Sequence, residues 1–455
     1  MIIVDRALQA RAEAGKPIRV GMIGAGFMGQ GLTNQIVNSV PGMRMSAIYN
    51  RRSERAFGVY KYAGCADVVG CANQQQLDDA VLKGRPAVAE DPYTICRSPH
   101  IDVVVDVTGS VEFGARIILE AFKHQKPVVL MNAEVDATLG PILRVYAKKY
   151  GAILSACDGD EPGVQMNLVR WVRGLGLTPR VIGNVKGLQD PYRNPTTQRG
   201  WAERWGQNAG MVTSFADGSK ISFEQSIVAN ATGFKVLTRG MSRGRAYDGN
   251  IMEIQKLYDL EAIREIGGII DYTVGPQGVK VFVLAEHSDP KQRHYLNLYK
   301  MGEGPLYPFW IPYHLVHFEA PNSIARVVLF GDELAPPLGG PVVEVCAVAK
   351  RDLKAGEVLD EYGMYMTYGE AANADEMSAE QYLPEGLVEG CRVRRDIPKD
   401  QVLRYADVEL PPGRIADTLR AEQYAHFRGE HWLTEAIKQP TSRIQPLEPA
   451  LSTVE

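Results

Sequence analysis

Short apolar runs alternate with amphipathic stretches through the first third of the chain. Five of these runs have strand length: Ile18 to Ile23, Met43 to Tyr49, Val103 to Val107, Pro127 to Met131 and Ala152 to Ala156. Strand and helix in repetition predict a mostly parallel sheet with right-handed crossovers and helices on both faces. The stretch 52–100 is longer than one crossover needs, so further helices capping the cleft are expected there. Beyond Cys157 helical segments mix with strands such as Val279 to Ala285, which predicts a separate α+β unit. From Pro341 the pattern turns to short β pieces, VVEVCAVAKRDLKAGEVLDEYG and CRVRRDIPKDQVLRYADVEL, expected as two halves of one small β-rich domain. The predicted division is 1–160, 161–335 and 336–455, and the tail from Pro440 reads as extended or frayed.

The first run leads into Gly24, Gly26 and Gly29, a G-x-G-x-x-G turn opening a helix from about Phe27 to Val40. In strand-turn-helix context these glycines allow a tight turn, close approach of a pyrophosphate and close helix packing. The backbone at Phe27 and Met28 then presents the helix N-terminus to the phosphates. The N-terminal unit therefore reads as a Rossmann domain. At the end of the second strand, Asn50, Arg51, Arg52, Ser53 and Arg55 stand where an acidic residue would bind the ribose hydroxyls of NAD. Cationic and hydroxyl donors there suit the 2′-phosphate of NADPH, the alternative being a solvated charge cluster. Thr108 and Gly109 follow the Val103 strand, and Asn132, Ala133 and Glu134 follow the next, so both groups are expected at the cofactor crevice. Glu134 reads as a cap for a helix starting near Ala137, with a chemical role as the alternative.

Charge and cysteine content narrow the partners. Lys plus Arg is 50 and Asp plus Glu 54, a formal charge of −4 over 455 residues, so no global field draws nucleic acid or an anionic membrane. No apolar run approaches the roughly 18 residues needed to span a bilayer, and the opening residues lack a signal-peptide core. The six cysteines are scattered without a C-x-x-C pair, consistent with reduced thiols and a cytoplasmic setting. A small-molecule partner is expected.

Candidate chemistry gathers after the fifth run. CDGDEPG, Cys157 to Gly163, places Asp158, Asp160 and Glu161 within four residues, so either a cation sits among them or the aspartates cap a turn. Lys186 and Lys220 are candidates to polarise a substrate oxygen or shuttle a proton, and Glu224 is placed near the start of a helix with its carboxylate toward the cleft. Asn230 follows on the same segment. Arg239, Arg243 and Arg245, spaced by glycines, suit a phosphate monoester or an interdomain salt-bridge loop. His314 reads as a cleft residue and His317 as structural.

GAGFMG, VTGS, CDGDEPG, ADGSK, FEQSIVANATG, YKMGEGPLY, PYHLVHFE and AKRDLKAGEVLD together resemble the homoserine-dehydrogenase-like oxidoreductases that carry a C-terminal SAF-type β domain. Within that group the chain is most similar to the 1-deoxy-D-xylulose 5-phosphate reductoisomerase-like enzymes. The resemblance implies a three-domain homodimer converting 1-deoxy-D-xylulose 5-phosphate to 2-C-methyl-D-erythritol 4-phosphate with NADPH, for isoprenoid precursor synthesis. It further implies Asp160, Glu161, Lys186, Lys220 and Glu224 as catalytic residues, and Asp158, Asn230, Arg239, Arg243 and His314 around a phosphorylated sugar. Asp158, Asp160 and Glu224 are the candidates to hold Mg²⁺ or Mn²⁺. Relatives carry an arginine before the Pro-Tyr-His-Leu run, where this chain has Trp310 and Ile311, a departure that suits the methyl end of a deoxy sugar better than a carboxylate. Two other functions remain open: a dehydrogenase or oxidoisomerase of a sugar or amino acid (apionate or homoserine type), and a non-enzymatic cofactor sensor.

Overall fold

In the computed structural model, which describes residues 4–438 apart from 277 and 279, the first sheet has seven parallel strands. They are β1 (Ile18–Ile23), β2 (Met43–Tyr49), β3 (Val69–Cys71), β4 (Ala87–Ala89), β5 (Val103–Asp106), β6 (Val128–Leu130) and β7 (Leu154–Ala156), in the order β3-β4-β2-β1-β5-β6-β7. Val104 joins the core on one face while Val103 and Val105 join the core on the other, which is why these strands read as unbroken apolar runs. Helices α1 (Val4–Glu13), α2 (Phe27–Ser39), α3 (Ser53–Tyr62), α4 (Gln74–Leu82), α5 (Pro92–Arg97), α6 (Val111–Lys123) and α7 (Ala133–Tyr150) cover the two faces. The strand order reverses between β1 and β5, so a ligand crevice opens at the carboxyl ends of those strands. Residues 52–100 do not cap that crevice. They add two short strands to the sheet edge, and Leu77, Val81 and Ile95 from α4 and α5 are buried in its core.

A second, mixed sheet follows α8 (Glu161–Gly174). Its strands are β8 (Thr178–Lys186), β9 (Arg245–Ala246), β10 (Ile269–Val274), β11 (Lys280–Glu286) and β12 (Leu306–Ile311), in the order β12-β11-β8-β10-β9. Helices α9 (Pro195–Trp205), α10 (Ala209–Asp217) and α11 (Ser219–Thr232) lie between β8 and β9. Three more, α12 (Leu260–Ile266), α13 (Pro290–Leu298) and α14 (Val316–Phe330), come later. Strand alternation sends Ile182 toward the core shared with α8 and α11, and Val181 and Val185 into a separate cluster with Ile254 and Tyr258. The expected strand from Val279 is described only from Lys280; Val279, like the tail from Pro440, lies outside the described residues.

The last unit pairs β13 (Val343–Ala349) with β14 (Thr367–Asn373), both antiparallel, and the small β15 (Arg392–Val393) with β16 (Val408–Glu409). Backbone bridges Leu353–Ile397 and Val358–Arg392 join its two sequence pieces, as their matching patterns suggest. Helix α15 (Ala374–Ala379) follows β14, and α16 (Ile415–Arg428) and α17 (Trp432–Lys438) end the described chain.

Twice the chain returns to the first sheet. Ala320, Ile324, Ala325 and Val327 of α14 complete the core on the face of α2, and Ala416 and Leu419 of α16 join the opposite face. Helix α7 contains Pro141, which interrupts its hydrogen-bond ladder. Side chains of α16 satisfy the groups left over: the Ile142 amide donates to Gln423 Oε1 at 3.2 Å, and Arg420 Nη1 donates to the Thr138 carbonyl at 3.1 Å.

Candidate active site

At the carboxyl ends of β1 and β5 the backbone is shaped for a dinucleotide. Gly24 has φ +109°, and a Cβ there would lie 3.0 Å from the Val107 carbonyl oxygen, so another residue would both strain the turn and push β1 from β5. Gly26 faces open space, and α2 begins at Phe27 with no side chain capping its N-terminal amides. Those amides and the positive end of the helix are what a pyrophosphate requires. Phe27 is exposed, Met28 and Gly29 continue the first turn, and Asn50 Oδ1 accepts from the Ala25 amide at 3.2 Å, tying the glycine turn to the end of β2. Arg51 and Arg52 are exposed at the same lip.

Thr108 and Gly109 lie at this edge, but the Asn132 side chain does not face it. Asn132 is fully buried. Its Nδ2 donates to Asp106 Oδ2 at 2.9 Å and to the Ser110 carbonyl at 2.9 Å, and its Oδ1 caps α7 by accepting from Val135 N at 3.2 Å. Asn132 therefore shapes the Thr108–Ser110 turn, and it, not Glu134, is the helix cap.

Freed from capping, Glu134 points into a buried charge cluster. Its Oε1 accepts from Lys220 Nζ at 3.0 Å. Lys220 is in the first turn of α11, and Glu224 lies one turn further on the same side, so α11 presents a cation and a carboxyl together. Glu224 is thus inside the helix, which starts at Ser219. Opposite it, Asp160 precedes α8 and Glu161 opens it, and Lys186 ends β8. Lys186 Nζ pairs with Glu161 Oε1 and lies 3.7 Å from Glu224 Oε2; His314 Nε2 is 3.7 Å from Glu161 Oε1. Beneath this layer, Gln165 (one turn after Glu161) donates to Asn184 (two residues before Lys186) at 2.9 Å, continuing a polar column into the core.

Four carboxyl groups surround two ammonium groups here, and burial decides who holds protons. Burial, then the neighbouring Glu161 anion, pushes the Glu224 carboxyl well above its ordinary range, so it carries a proton and hydrogen-bonds Glu161. Burial also raises Asp160, opposed chiefly by Lys220. For Glu161, burial is outweighed by Lys186, the Glu224 hydrogen bond and His314, and its carboxyl is held below the usual range. Burial works against the charge of both lysines, yet the Glu161 anion beside Lys186, and Glu134 and Asp160 around Lys220, more than offset it. Asp160 acts on both ammonium groups, and Glu224 stands 3.7 Å from that of Lys186. Two fixed cations flanking a neutral acid and a basic carboxylate can stabilise a developing alkoxide and move a proton to or from it.

Four expected site residues are engaged elsewhere. Asp158 accepts from Arg326 Nη1 at 2.9 and 3.2 Å, from Ser323 Oγ at 2.6 Å and from Asn167, which locks the turn to α14 and satisfies both its oxygens. Arg239 and Arg243 donate to the two oxygens of Glu370 at 3.0 and 2.9 Å, because a carboxylate buried in β14 must be paired; the interdomain reading of that loop is the one the structure shows. Asn230 Oδ1 accepts from the Val342 and Val343 amides at 2.7 and 3.1 Å, anchoring the strand that enters the last unit. Asp158 is taken up by Arg326 and Ser323, Glu224 carries a proton, and among the described residues no three His, Cys, Asp or Glu side chains converge as metal ligands. The donor set does not fit Mg²⁺ or Mn²⁺, and the cationic role falls to the lysines. His317 is structural: a Cβ on Gly31 would come within 2.8 Å of its ring, so it is wedged between α14 and α2.

The comparisons with known proteins agree with this geometry. Residues 24–155 match the family model for the NAD-binding domain of homoserine dehydrogenase, 159–320 that for the catalytic domain of oxidoreductase DRL, and 344–409 that for the SAF domain. The homoserine dehydrogenase of Pseudomonas aeruginosa is 25% identical over 170 residues, 35% of this chain and 36% of that protein. That of Methylobacillus glycogenes is 24% identical over 187 residues, 38% of this chain and 42% of that protein. The chain thus spans about two fifths or less of the curated relatives it matches. A probable dehydrogenase from Thermotoga maritima shares 13% identity at TM-score 0.41, over 70% of this chain and 90% of that one.

The first sheet thus matches an NAD-binding domain, and the unit that carries Lys186, Lys220 and Glu224 matches an oxidoreductase catalytic domain, with an SAF-domain match after it. Among the described residues no helix is long and apolar enough to cross a membrane.

Proposed function

We propose that the protein transfers hydride between NADP(H) and a carbinol or carbonyl carbon of a small, unphosphorylated hydroxy acid, of the homoserine or sugar-acid type. The observation that carries this reading is the Lys186–Glu161–Glu224 and Lys220–Glu134–Asp160 cluster at the carboxyl ends of β6, β7 and β8. Gly24, Gly26, Phe27, Met28, Gly29, Thr108 and Gly109 would hold the nucleotide, which supplies or accepts the hydride. Lys186 and Lys220 orient the substrate oxygen and stabilise its negative charge, Asp160 takes or returns the hydroxyl proton, and Glu224 passes it on through Glu161. His314 borders the same pocket. The engagement of Arg239 and Arg243 with Glu370 removes the anchor expected for a phosphate, which disfavours 1-deoxy-D-xylulose 5-phosphate. The match of residues 159–320 to the DRL catalytic domain keeps that reductoisomerase as the second reading.

Following nicotinamide absorbance with homoserine, aspartate semialdehyde, apionate and 1-deoxy-D-xylulose 5-phosphate separates the two. Turnover of one unphosphorylated acid supports the primary reading, and turnover of the deoxy sugar phosphate alone supports the second. No turnover with any of them sinks the role given to the cluster. The cofactor choice has its own test. Replacing Arg51 and Arg52 together by Ala is expected to narrow the NADPH-over-NADH preference by about ten- to a hundredfold, the weight of a charge-assisted hydrogen bond or two. An unchanged ratio of kcat/KM values would show that these side chains do not reach the 2′-phosphate.

A further inference from the structure

The C-terminal unit reaches across the molecule to the cluster. Its segment Asp360–Tyr365, between β13 and β14, places Tyr362 against both other units. The Tyr362 hydroxyl donates to the Gly109 carbonyl at 3.1 Å, in the turn at the cofactor crevice, and its ring packs edge-on against Phe223 of α11 at 5.7 Å. Burial and then Glu134 push the Tyr362 phenol well above its ordinary range. The second oxygen of that carboxylate, Glu134 Oε2, is buried with no hydrogen-bond partner, although its first oxygen holds Lys220. A buried unpaired carboxylate oxygen is costly and rare, and the Tyr362 hydroxyl, a single rotatable donor, can turn from the Gly109 carbonyl to this oxygen.

This segment is clamped, not draped. Gly363 has φ +72° and its Cα abuts α10: a Cβ there would lie 2.4 Å from the Gly210 carbonyl oxygen. Asp360 accepts from the Tyr365 and Met366 amides at 2.9 and 3.2 Å, which closes the loop on itself. Lys350, the residue after β13 and itself buried, donates to the Met364 carbonyl at 2.9 Å and to Asp217 Oδ2 at 2.9 Å, just ahead of the turn that starts α11. The Gly363 and Lys350 contacts fix the C-terminal loop to α10, whose last residue, Asp217, leads through Gly218 into α11 with its Lys220 and Glu224.

We infer that Tyr362 is a positioning residue of the active site: its hydroxyl spans the Gly109 turn and the Glu134–Lys220 pair, setting the spacing between the nucleotide and the lysine that meets the substrate oxygen. The SAF unit is in this sense part of the catalytic apparatus. The inference rests on the proposed role of the cluster, and its test has an arm that does not. Tyr362→Phe keeps the ring on Phe223 and removes only the hydroxyl. It is expected to lower kcat about five- to tenfold with substrate KM within about twofold, and to weaken NADPH binding severalfold in a fluorescence titration, the scale of one lost hydrogen bond. Its melting temperature should match the wild type, whereas Tyr362→Ala, which also loses the packing, should melt lower. A fall in kcat or in NADPH affinity in the Phe variant without a change in melting temperature supports the inference. Wild-type values of both overturn it. If the wild type turns over none of the substrates tried, the titration alone decides, with unchanged NADPH affinity overturning the inference.

Discussion

Lys186→Met is expected to lower kcat/KM by about three orders of magnitude while leaving NADPH affinity within about twofold, the combined scale of losing an oxyanion stabiliser and a proton-transfer partner. Among the described residues, Lys186 is the only cation within 4 Å of both Glu161 and Glu224. With it gone, the negative charge that builds on a substrate oxygen meets carboxyl groups in place of an ammonium. Stability should fall too, because the variant leaves Glu161 buried and unpaired at a cost of about 3 to 5 kcal/mol. The double variant Lys186→Met with Glu161→Gln separates these effects: it should recover most of the melting temperature and none of the activity. Recovery of activity in the double variant would show that Lys186 serves only to neutralise Glu161.

Glu224→Gln is expected to flatten the alkaline side of the stability profile and to cost about 10² to 10⁴ in kcat, the range of general acid-base catalysis. Burial and the Glu161 anion hold the Glu224 proton in the folded state well above the ordinary carboxylate range. The folded chain therefore binds more protons than the unfolded one between that ordinary range and the raised value. The stabilisation from Glu224 is complete below the unfolded value and is lost as pH rises through the folded one, by about 1.4 kcal/mol per pH unit within the window. Glu385, pushed up by burial and by Asp217, adds a slope of the same sign. Glu161 has the opposite sign: its carboxyl is depressed, so its contribution is present above the ordinary range and disappears as pH falls. An amide at 224 does not titrate, so urea unfolding between about pH 5 and 9 should show a shallower decline than the wild type. Parallel curves would mean that Glu224 is ionised in the folded protein.

Long period-two or buried runs announced themselves in the sequence, and pairings between distant side chains did not. Strands β1 and β2 and helix α6 begin and end where apolar runs and caps place them. Strands β3 and β4, three residues each, were too short to stand out from the helices around them. The cluster was legible in part, because CDGDEPG and the two lysines carry more charge than a turn or helix start needs. Glu134 reads as a cap in sequence, yet Asn132, two residues earlier, is also a capping residue, and only the fold shows which of the two takes the amide. Arg239 and Arg243 fit a phosphate or a carboxylate equally well on chemistry; Glu370 lies some 130 residues away, and nothing local marks it as their partner. Tyr362 sits among three other tyrosines and methionines in a loop with no motif, so its importance comes only from where β13 and β14 carry that loop.

The two returns of the chain to the first sheet bear on how the molecule comes to exist. Strands made at the start of synthesis stay partly uncovered until residues 316–330 and 415–428 have emerged, since α14 and α16 supply the last pieces of their core. Contacts so distant in sequence make for slow maturation and a long interval in which apolar faces are open to chaperones or to misassociation. The nucleotide unit is consequently no detachable cassette: excised at residue 160, it would leave behind the very helices that seal it.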